Sequence, residues 1–249
     1  MISLLTQLIR GHSDWLKTSH ASLSFIKIST PASGVELGKG KVLLLVFEEG
    51  ESKPTLCVKT TRIYSAGGII KKNYDNLKLL AKGVVGTKHA SMFAEPLYLY
   101  DDGSLIFCVE SVCPGARFSS GNEDPGPVME AYIAWQSHLA QKSKEFKTLE
   151  GGIKLPVISQ HGDMTPDNVL VFRDDIYLVD YDYAGECTLA GFDLVNFLSK
   201  MEISSETRRA YYEKYFPHYF ESIGVKVESY QSLLPLYHLE EVRRKDRNM

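Results

Sequence analysis

Between residues 161 and 180 the chain reads His161-Gly162-Asp163-Met164-Thr165-Pro166-Asp167-Asn168-Val169-Leu170-Val171, and then Ile176-Tyr177-Leu178-Val179-Asp180. Two short apolar runs, 169–172 and 176–179, flank Arg173-Asp174-Asp175. So short a connection between two such runs predicts a tight antiparallel hairpin. Counting outward from Asp174 sets Asn168 opposite Asp180 at the open end. Asp163 sits upstream, on the loop that feeds the first strand. One hairpin can therefore gather two carboxylates and a carboxamide at a single rim.

Those residue types suit one kind of chemistry. Magnesium favours hard oxygen ligands and is usually held by one or two protein oxygens together with phosphates and water. Asp180 and Asn168 offer a carboxylate and a neutral amide oxygen. Asp163 can orient a hydroxyl and take its proton. Phosphoryl transfer asks for little beyond positioning and charge neutralisation.

The pattern H-x-D-x-x-x-x-N, followed across a hairpin by Asp, is the catalytic-loop and metal-Asp arrangement of the protein-kinase fold. In the form His161-Gly162-Asp163, Asn168-Val169-Leu170, Val179-Asp180-Tyr181-Asp182-Tyr183-Ala184-Gly185 and Phe192-Asp193-Leu194, it resembles the aminoglycoside phosphotransferase and choline kinase branch. That branch phosphorylates small molecules. The resemblance is dense over 158–198 and thinner over 24–118. It implies an α+β, protein-kinase-like two-lobe fold. A small antiparallel β-sheet N-lobe with one helix is expected over 1–111, binding the nucleotide. A mainly α-helical C-lobe is expected over 112–249, carrying catalysis and the acceptor.

The resemblance also implies roles. Asp163 is the catalytic base, and His161 and Asp193 brace its loop. Asn168 and Asp180 hold Mg, with Asp182 assisting. Asp193 can also serve as the N-cap of the helix that begins with Leu194. Lys59 pairs the α- and β-phosphates of ATP. Ser33, Gly34, Gly38 and Gly40 occupy the phosphate-covering loop without spelling G-x-G-x-x-G. Residues 110–112, from Glu110 to Val112, form the hinge, where backbone groups hold adenine, so side-chain identity says little. One departure stands out. The family usually places a Glu on the first helix to pair with the strand Lys, and here that position is Asn73. An amide can accept a hydrogen bond from Lys59 but brings no charge.

The preceding sequence reads as the matching sheet. Residues 24–28 alternate like a strand. After a turn-rich stretch, 41–47 is strongly apolar, 48–54 reads as a turn, and 55–59 returns, so that Lys59 ends a strand. Apolar residues Ile70, Leu77, Leu80 and Ala81 predict a helix over 69–82 that stops at Gly83. Strands are expected over 93–100 and 104–110. The stretch 119–127 reads as a loop, followed by a helix with Pro127 in its first turn and Asp124 as a possible cap. Helices are expected from about Asp193 to the end.

Composition closes other routes. The 249 residues carry a formal net charge of −3, with no basic field suited to nucleic acid. Arg243-Arg244-Lys245-Asp246-Arg247 reads as a solvated helix end. The four cysteines form no C-x-x-C, which points to reduced thiols in a cytoplasmic protein. No apolar run is long enough to span a membrane. The N-terminal Ile2, Leu4, Leu5, Leu8 and Ile9 instead predict an amphipathic helix on the body of the protein. Tyr211, Tyr212, Tyr215, Phe216, Tyr219, Phe220, Tyr230 and Tyr237 could form an aromatic cage for a quaternary ammonium, but their helical spacing favours packing. Glu123, Asp124, Glu130, Glu202 and Glu206 could face a cationic acceptor or simply solvent.

The leading reading is an ATP-dependent kinase acting on a hydroxyl of a small molecule such as a sugar, an amino alcohol or an aminoglycoside-like compound. The alternative is a nucleotide-binding pseudokinase, supported by Asn73 alone. A protein kinase is disfavoured by the H-G-D form and the missing A-P-E, and a metal hydrolase by too few ligands.

Overall fold

The computed structural model describes residues 1–18, 22–29, 41–61, 63–149, 152–187, 189–226, 231 and 233–246. Ser33, Gly34, Gly38, Gly40, Tyr230 and Arg247 lie outside these residues. The chain divides into two compact units, Met1–Ala81 with Ala94–Val112, and Lys82–Phe93 with Cys113–Met249.

In the first unit, helix α1 (Ile2–Gly11) precedes strands β1 (Leu23–Ser29), β2 (Lys41–Glu48) and β3 (Leu56–Thr61). Helix α2 (Gly68–Val84) follows, then β4 (Pro96–Asp101) and β5 (Ile106–Ser111). The five strands form one antiparallel sheet in the order β1-β2-β3-β5-β4. Alternation on β2 buries Val42, Leu44 and Val46, which join Leu56, Val58, Phe107 and Val109 in one apolar layer with Leu5 and Ile9 of α1. Each such side chain contributes about 1.5–3 kcal/mol on burial. A second cluster joins Ile106 and Cys108 of β5 to Ile70 of α2. Strand β3 lies mid-sheet with both faces covered, so every one of its residues is buried.

Three expectations need correction here. Lys59 does not end its strand. Thr60 and Thr61 continue it, because their hydroxyls donate to the carbonyls of Ile106 and Ile63, each at 2.7 Å, and so can be buried. Helix α2 does not stop at Gly83. It runs to Val84, and the left-handed glycine beyond it is Gly86, at φ 73°. Gly83 instead allows close packing, since a Cβ there would lie 3.3 Å from Leu139 Cδ2. Strand β4 begins at Pro96 rather than at residue 93, because Ala90–Met92 form a 3-10 turn first.

The second unit contains strand β6 (Ala116–Arg117), helix α3 (Gly126–Lys142), and strands β7 (Phe146–Thr148), β8 (Lys154–Pro156) and β9 (Ile158–Gln160). Strands β10 (Val169–Phe172), β11 (Asp175–Leu178) and β12 (Gly185–Cys187) follow, and helices α4 (Phe192–Lys200), α5 (Ser205–Ser222) and α6 (Leu234–Asp246) complete it. Pro127 sits in the first turn of α3, and Asp124 Oδ1 accepts the Gly126 N–H at 2.9 Å. Ser204 caps α5 by accepting the Thr207 N–H at 3.0 Å. Tyr132 and Trp135 of α3 and Tyr215, Phe216, Tyr219 and Phe220 of α5 are buried. Tyr219 stacks on Tyr132, Phe216 meets Tyr237 edge-on, and the Tyr237 hydroxyl donates to the Ala190 carbonyl at 2.6 Å. These rings are core, as their spacing predicts. Among the described residues no helix is long and apolar enough to cross a membrane.

Candidate active site

The hairpin forms, with one change in its register. Val169 pairs with Leu178 and Phe172 with Asp175, so the turn is the two residues Arg173-Asp174. Arg173 takes φ 57° to close it. The symmetric count about Asp174 is therefore off by one residue. Asn168 faces Val179, whose N–H donates to the Asn168 carbonyl at 3.0 Å. Asp180 comes one step later and adopts φ 67°. A left-handed non-glycine residue costs about 1–2 kcal/mol. Here it breaks the strand's alternation at the residue read as a metal ligand.

The catalytic-loop residues are brought together. Asn168 Nδ2 donates to Asp163 Oδ2 at 3.2 Å and to the Asp163 carbonyl at 2.9 Å. Both acceptors demand the NH₂ end of the amide, which leaves Oδ1 as an acceptor toward anything else. Asp163 is half-buried, and its carboxyl is held above the usual aspartate range. Burial is the largest cause and the neighbouring Asp180 charge the next, with Asp182 adding to it. Hydrogen bonds from Asn196 and Asn168 pull the other way. Asp163, Asp180 and Asp182 thus share one electrostatic neighbourhood.

His161 and Asp193 are fully buried beneath this rim. The Asp193 carboxylate accepts the His161 N–H and the Gly162 N–H, both at 2.8 Å. Gly162 takes φ 81°, which glycine reaches without strain. His161 Nε2 lies 3.0 Å from the Val179 carbonyl, which can only accept, so that nitrogen carries the proton. The Asp163 loop and the segment leading to Asp180 are tied through this one ring. Asp193 is not the helix N-cap. Gly191, at φ 89°, takes that place with no side-chain bond, and the Asp193 carboxylate is spent on the loop instead.

Asn196 escaped the sequence reading. It lies one turn beyond Asp193 on α4 and is buried, and its Nδ2 donates to the Met164 carbonyl at 3.3 Å. The spacing from Asp193 puts both on one helix face, but α4 is apolar enough there to read as plain core.

In the first unit, Lys59 Nζ donates to Asn73 Oδ1 at 3.0 Å and pairs with Glu110 Oε1 at 2.8 Å. The Glu110 side chain, on which the sequence reading placed no weight, is the one that pairs with Lys59. Glu110 is buried, and its backbone lies within the sheet, opposite Cys57 on β3 and Pro96 on β4. Val112 closes this unit and is half-buried. Burial works against the Lys59 charge, but the Glu110 carboxylate and other neighbouring groups together outweigh it and leave the ammonium pKa above its ordinary value.

No protein-family model matches the sequence, and no curated protein matches it. Solved structures do match. Aminoglycoside phosphotransferase APH(3'')-Id from Streptomyces rimosus superposes with TM-score 0.55 at 10% identity, over 95% of this chain and 97% of its own. The fold is protein-kinase-like. A spectinomycin phosphotransferase bound to ADP and spectinomycin gives TM-score 0.56 at 12% identity, over 95% of this chain and 84% of its own. An amicoumacin kinase bound to AMP-PNP and Ca²⁺ gives 0.55 at 13%, over 93% and 81%. At such identities the likeness is one of fold.

Proposed function

We propose that this protein is an ATP-dependent phosphotransferase that moves the γ-phosphoryl group to a hydroxyl of a small molecule. The observation that carries this reading is the Asn168–Asp163 contact at the open end of the hairpin, with the Asp180 charge close enough to raise the Asp163 pKa. In this reading the acceptor O–H gives its proton to Asp163 as its oxygen bonds to the γ-phosphorus. The bond from that phosphorus to the bridging oxygen breaks, and ADP leaves. The proton acceptor must be ionised, and the raised Asp163 pKa makes that carboxylate the stronger base for the acceptor proton.

Among the described residues no three His, Cys, Asp or Glu side chains gather closely enough to hold a metal by themselves, so a divalent cation here would draw on phosphate and water oxygens as well as protein ones. Asp180 and the Oδ1 of Asn168 would hold Mg, with Asp182 assisting. Bound there with the nucleotide, Mg would neutralise phosphate charge. Lys59 serves the α- and β-phosphates, and His161 and Asp193 keep the Asp163 loop in place. Residues 1–111 bind the nucleotide and 112–249 carry out transfer. The nucleotides and antibiotics bound by the fold relatives support ATP as donor and a sugar, amino alcohol or aminoglycoside-like acceptor. Cysteines without C-x-x-C pairing fit a cytoplasmic setting.

The pseudokinase alternative rested on the missing helix carboxylate. Glu110 supplies a carboxylate to Lys59 from the sheet, which removes that argument. The deciding experiment is an ATP-consumption screen over sugars, amino alcohols, aminoglycosides and nucleosides. One acceptor should lift turnover well above the water background and yield a phosphorylated product, and Asp163→Ala should abolish it. Mg-ATP binding with no acceptor-dependent turnover across all classes would return the pseudokinase reading.

A further inference from the structure

We propose that Glu110 takes over the task of the absent helix carboxylate, holding the Lys59 ammonium charged and in place for nucleotide phosphates. This deepens, and rests on, the phosphate role assigned to Lys59 above.

The sheet register sets the pair. Lys59 faces Cys108 across β3 and β5, and Cys57 faces Glu110. Residues 57 and 59 point to the same face, as do 108 and 110, so Lys59 and Glu110 are diagonal neighbours on one side of the sheet. Cys108 clusters with Ile70, which marks that side as the α2 face. Asn73 of α2 reaches Lys59 there. The Lys59 and Glu110 side chains are only 5% and 8% exposed, and Asn73 is 0% exposed.

Charge explains the identities at 73 and 110 together. A buried ammonium without a counter-charge sheds its proton or destabilises the fold. The Glu110 carboxylate supplies such a counter-charge. Two carboxylates would leave an uncompensated buried negative charge, so a Glu at 73 is disfavoured once Glu110 is present. The carboxylate stands on the sheet and the neutral amide on the helix. The Asn73 oxygen still fixes the direction of the ammonium.

The pair is not explained as a stabilising device. Buried ion pairs often contribute no more than well-packed apolar residues of the same volume. Glu110 Oε2 is moreover buried with no hydrogen-bond partner among the described residues. A carboxylate kept at such cost, on a Lys in the phosphate-pairing position, serves that Lys.

The test is calorimetric Mg-ATP affinity, measured alongside KM for the nucleotide and for the acceptor. The variants are Lys59→Met, Glu110→Gln, Asn73→Glu, and the exchange Asn73→Glu with Glu110→Gln. Glu110→Gln should weaken Mg-ATP binding by about tenfold or more while leaving acceptor KM nearly unchanged. The exchange variant, with the carboxylate returned to the helix, should recover to within a few-fold of the wild type. Unchanged or tighter Mg-ATP binding in Glu110→Gln overturns the proposal, because Glu110 would then be idle or competing with the phosphates. If Glu110→Gln does not fold, the exchange variant decides: it must fold and bind Mg-ATP, and failure at either overturns the proposal. Lys59→Met separates the two layers. If it keeps full Mg-ATP affinity, the role of Lys59 itself is wrong. If it loses affinity while Glu110→Gln does not, only the role of Glu110 is wrong.

Discussion

Asn168 grips Asp163 twice through one nitrogen, at the carboxylate Oδ2 (3.2 Å) and at the main-chain carbonyl (2.9 Å). The carboxylate and the amide are therefore one unit, and under the proposed reading only the amide oxygen is left to serve as a ligand.

Removing the carboxylate separates chemistry from binding. Asp163→Ala should lower kcat by about 10²–10⁴-fold, the range for a lost general base. Mg-nucleotide affinity should stay within a few-fold. Turnover assays and calorimetry on the same preparation check both. Wild-type turnover in Asp163→Ala would remove Asp163 from the mechanism.

The raised Asp163 pKa has a pH signature. As pH falls, this carboxylate protonates before an ordinary aspartate of pKa about 3.9 would. The acid limb of kcat/KM should therefore lie above that value. Asp182→Asn removes one raising charge and should move the limb to lower pH. The same group sets a stability trend. Its folded pKa exceeds its unfolded one, so the folded state binds more protons between the two values, and stability falls as pH rises through that window. Asp163→Asn lacks this loss. It should melt higher than the wild type at neutral pH, with the gap closing as pH drops below the ordinary aspartate range. A gap that widened on acidification would contradict the electrostatics of the rim.

Asp193 is a test of the scaffold. Asp193→Ala strands two N–H groups, those of His161 and Gly162, beneath the rim. Each buried unsatisfied donor costs about 1–3 kcal/mol, so a loss of roughly 2–6 kcal/mol is expected in denaturant titration. An effect below 1 kcal/mol would mean that the loop holds itself.

Two left-handed residues on the hairpin should respond differently to glycine. Arg173→Gly and Asp180→Gly each relieve about 1 kcal/mol of backbone strain. Arg173→Gly should leave turnover unchanged and raise the melting temperature slightly. Asp180→Gly should also not destabilise the fold, yet should sharply weaken Mg-dependent nucleotide binding. Calcium or magnesium titrations against both variants distinguish strain from ligation.

Much of this was legible in the sequence where local chemistry is strong. The apolar runs around Arg173-Asp174 specified the hairpin, and the apolar run 41–47 specified a strand, though not the face it buries. The misreadings share a cause. Arg173 gives no sign that it will enter the left-handed region, so the turn was counted one residue too long and Asn168 was paired with the wrong partner. Thr60 and Thr61 looked like a polar strand end, but the Ile106 carbonyl on a neighbouring strand accepts one hydroxyl and the Ile63 carbonyl just downstream accepts the other. Gly83 looked like a helix stop, but the helix runs through it, and a Cβ there would sit 3.3 Å from Leu139 Cδ2. Glu110 is the deepest case. A buried carboxylate is read from its partner, and Lys59 meets it only through sheet pairing. Strands β6 to β9 and β12 are too short for any period to show.

In protein kinases the Lys–Glu pair spans sheet and helix, so swinging the helix switches the enzyme on and off. Here both charges belong to neighbouring strands of one hydrogen-bonded ladder. Displacing α2 would withdraw an amide and leave the salt link intact. If Lys59 serves nucleotide phosphates as proposed, this pair is set as soon as the sheet has formed, and no movement of the helix undoes it.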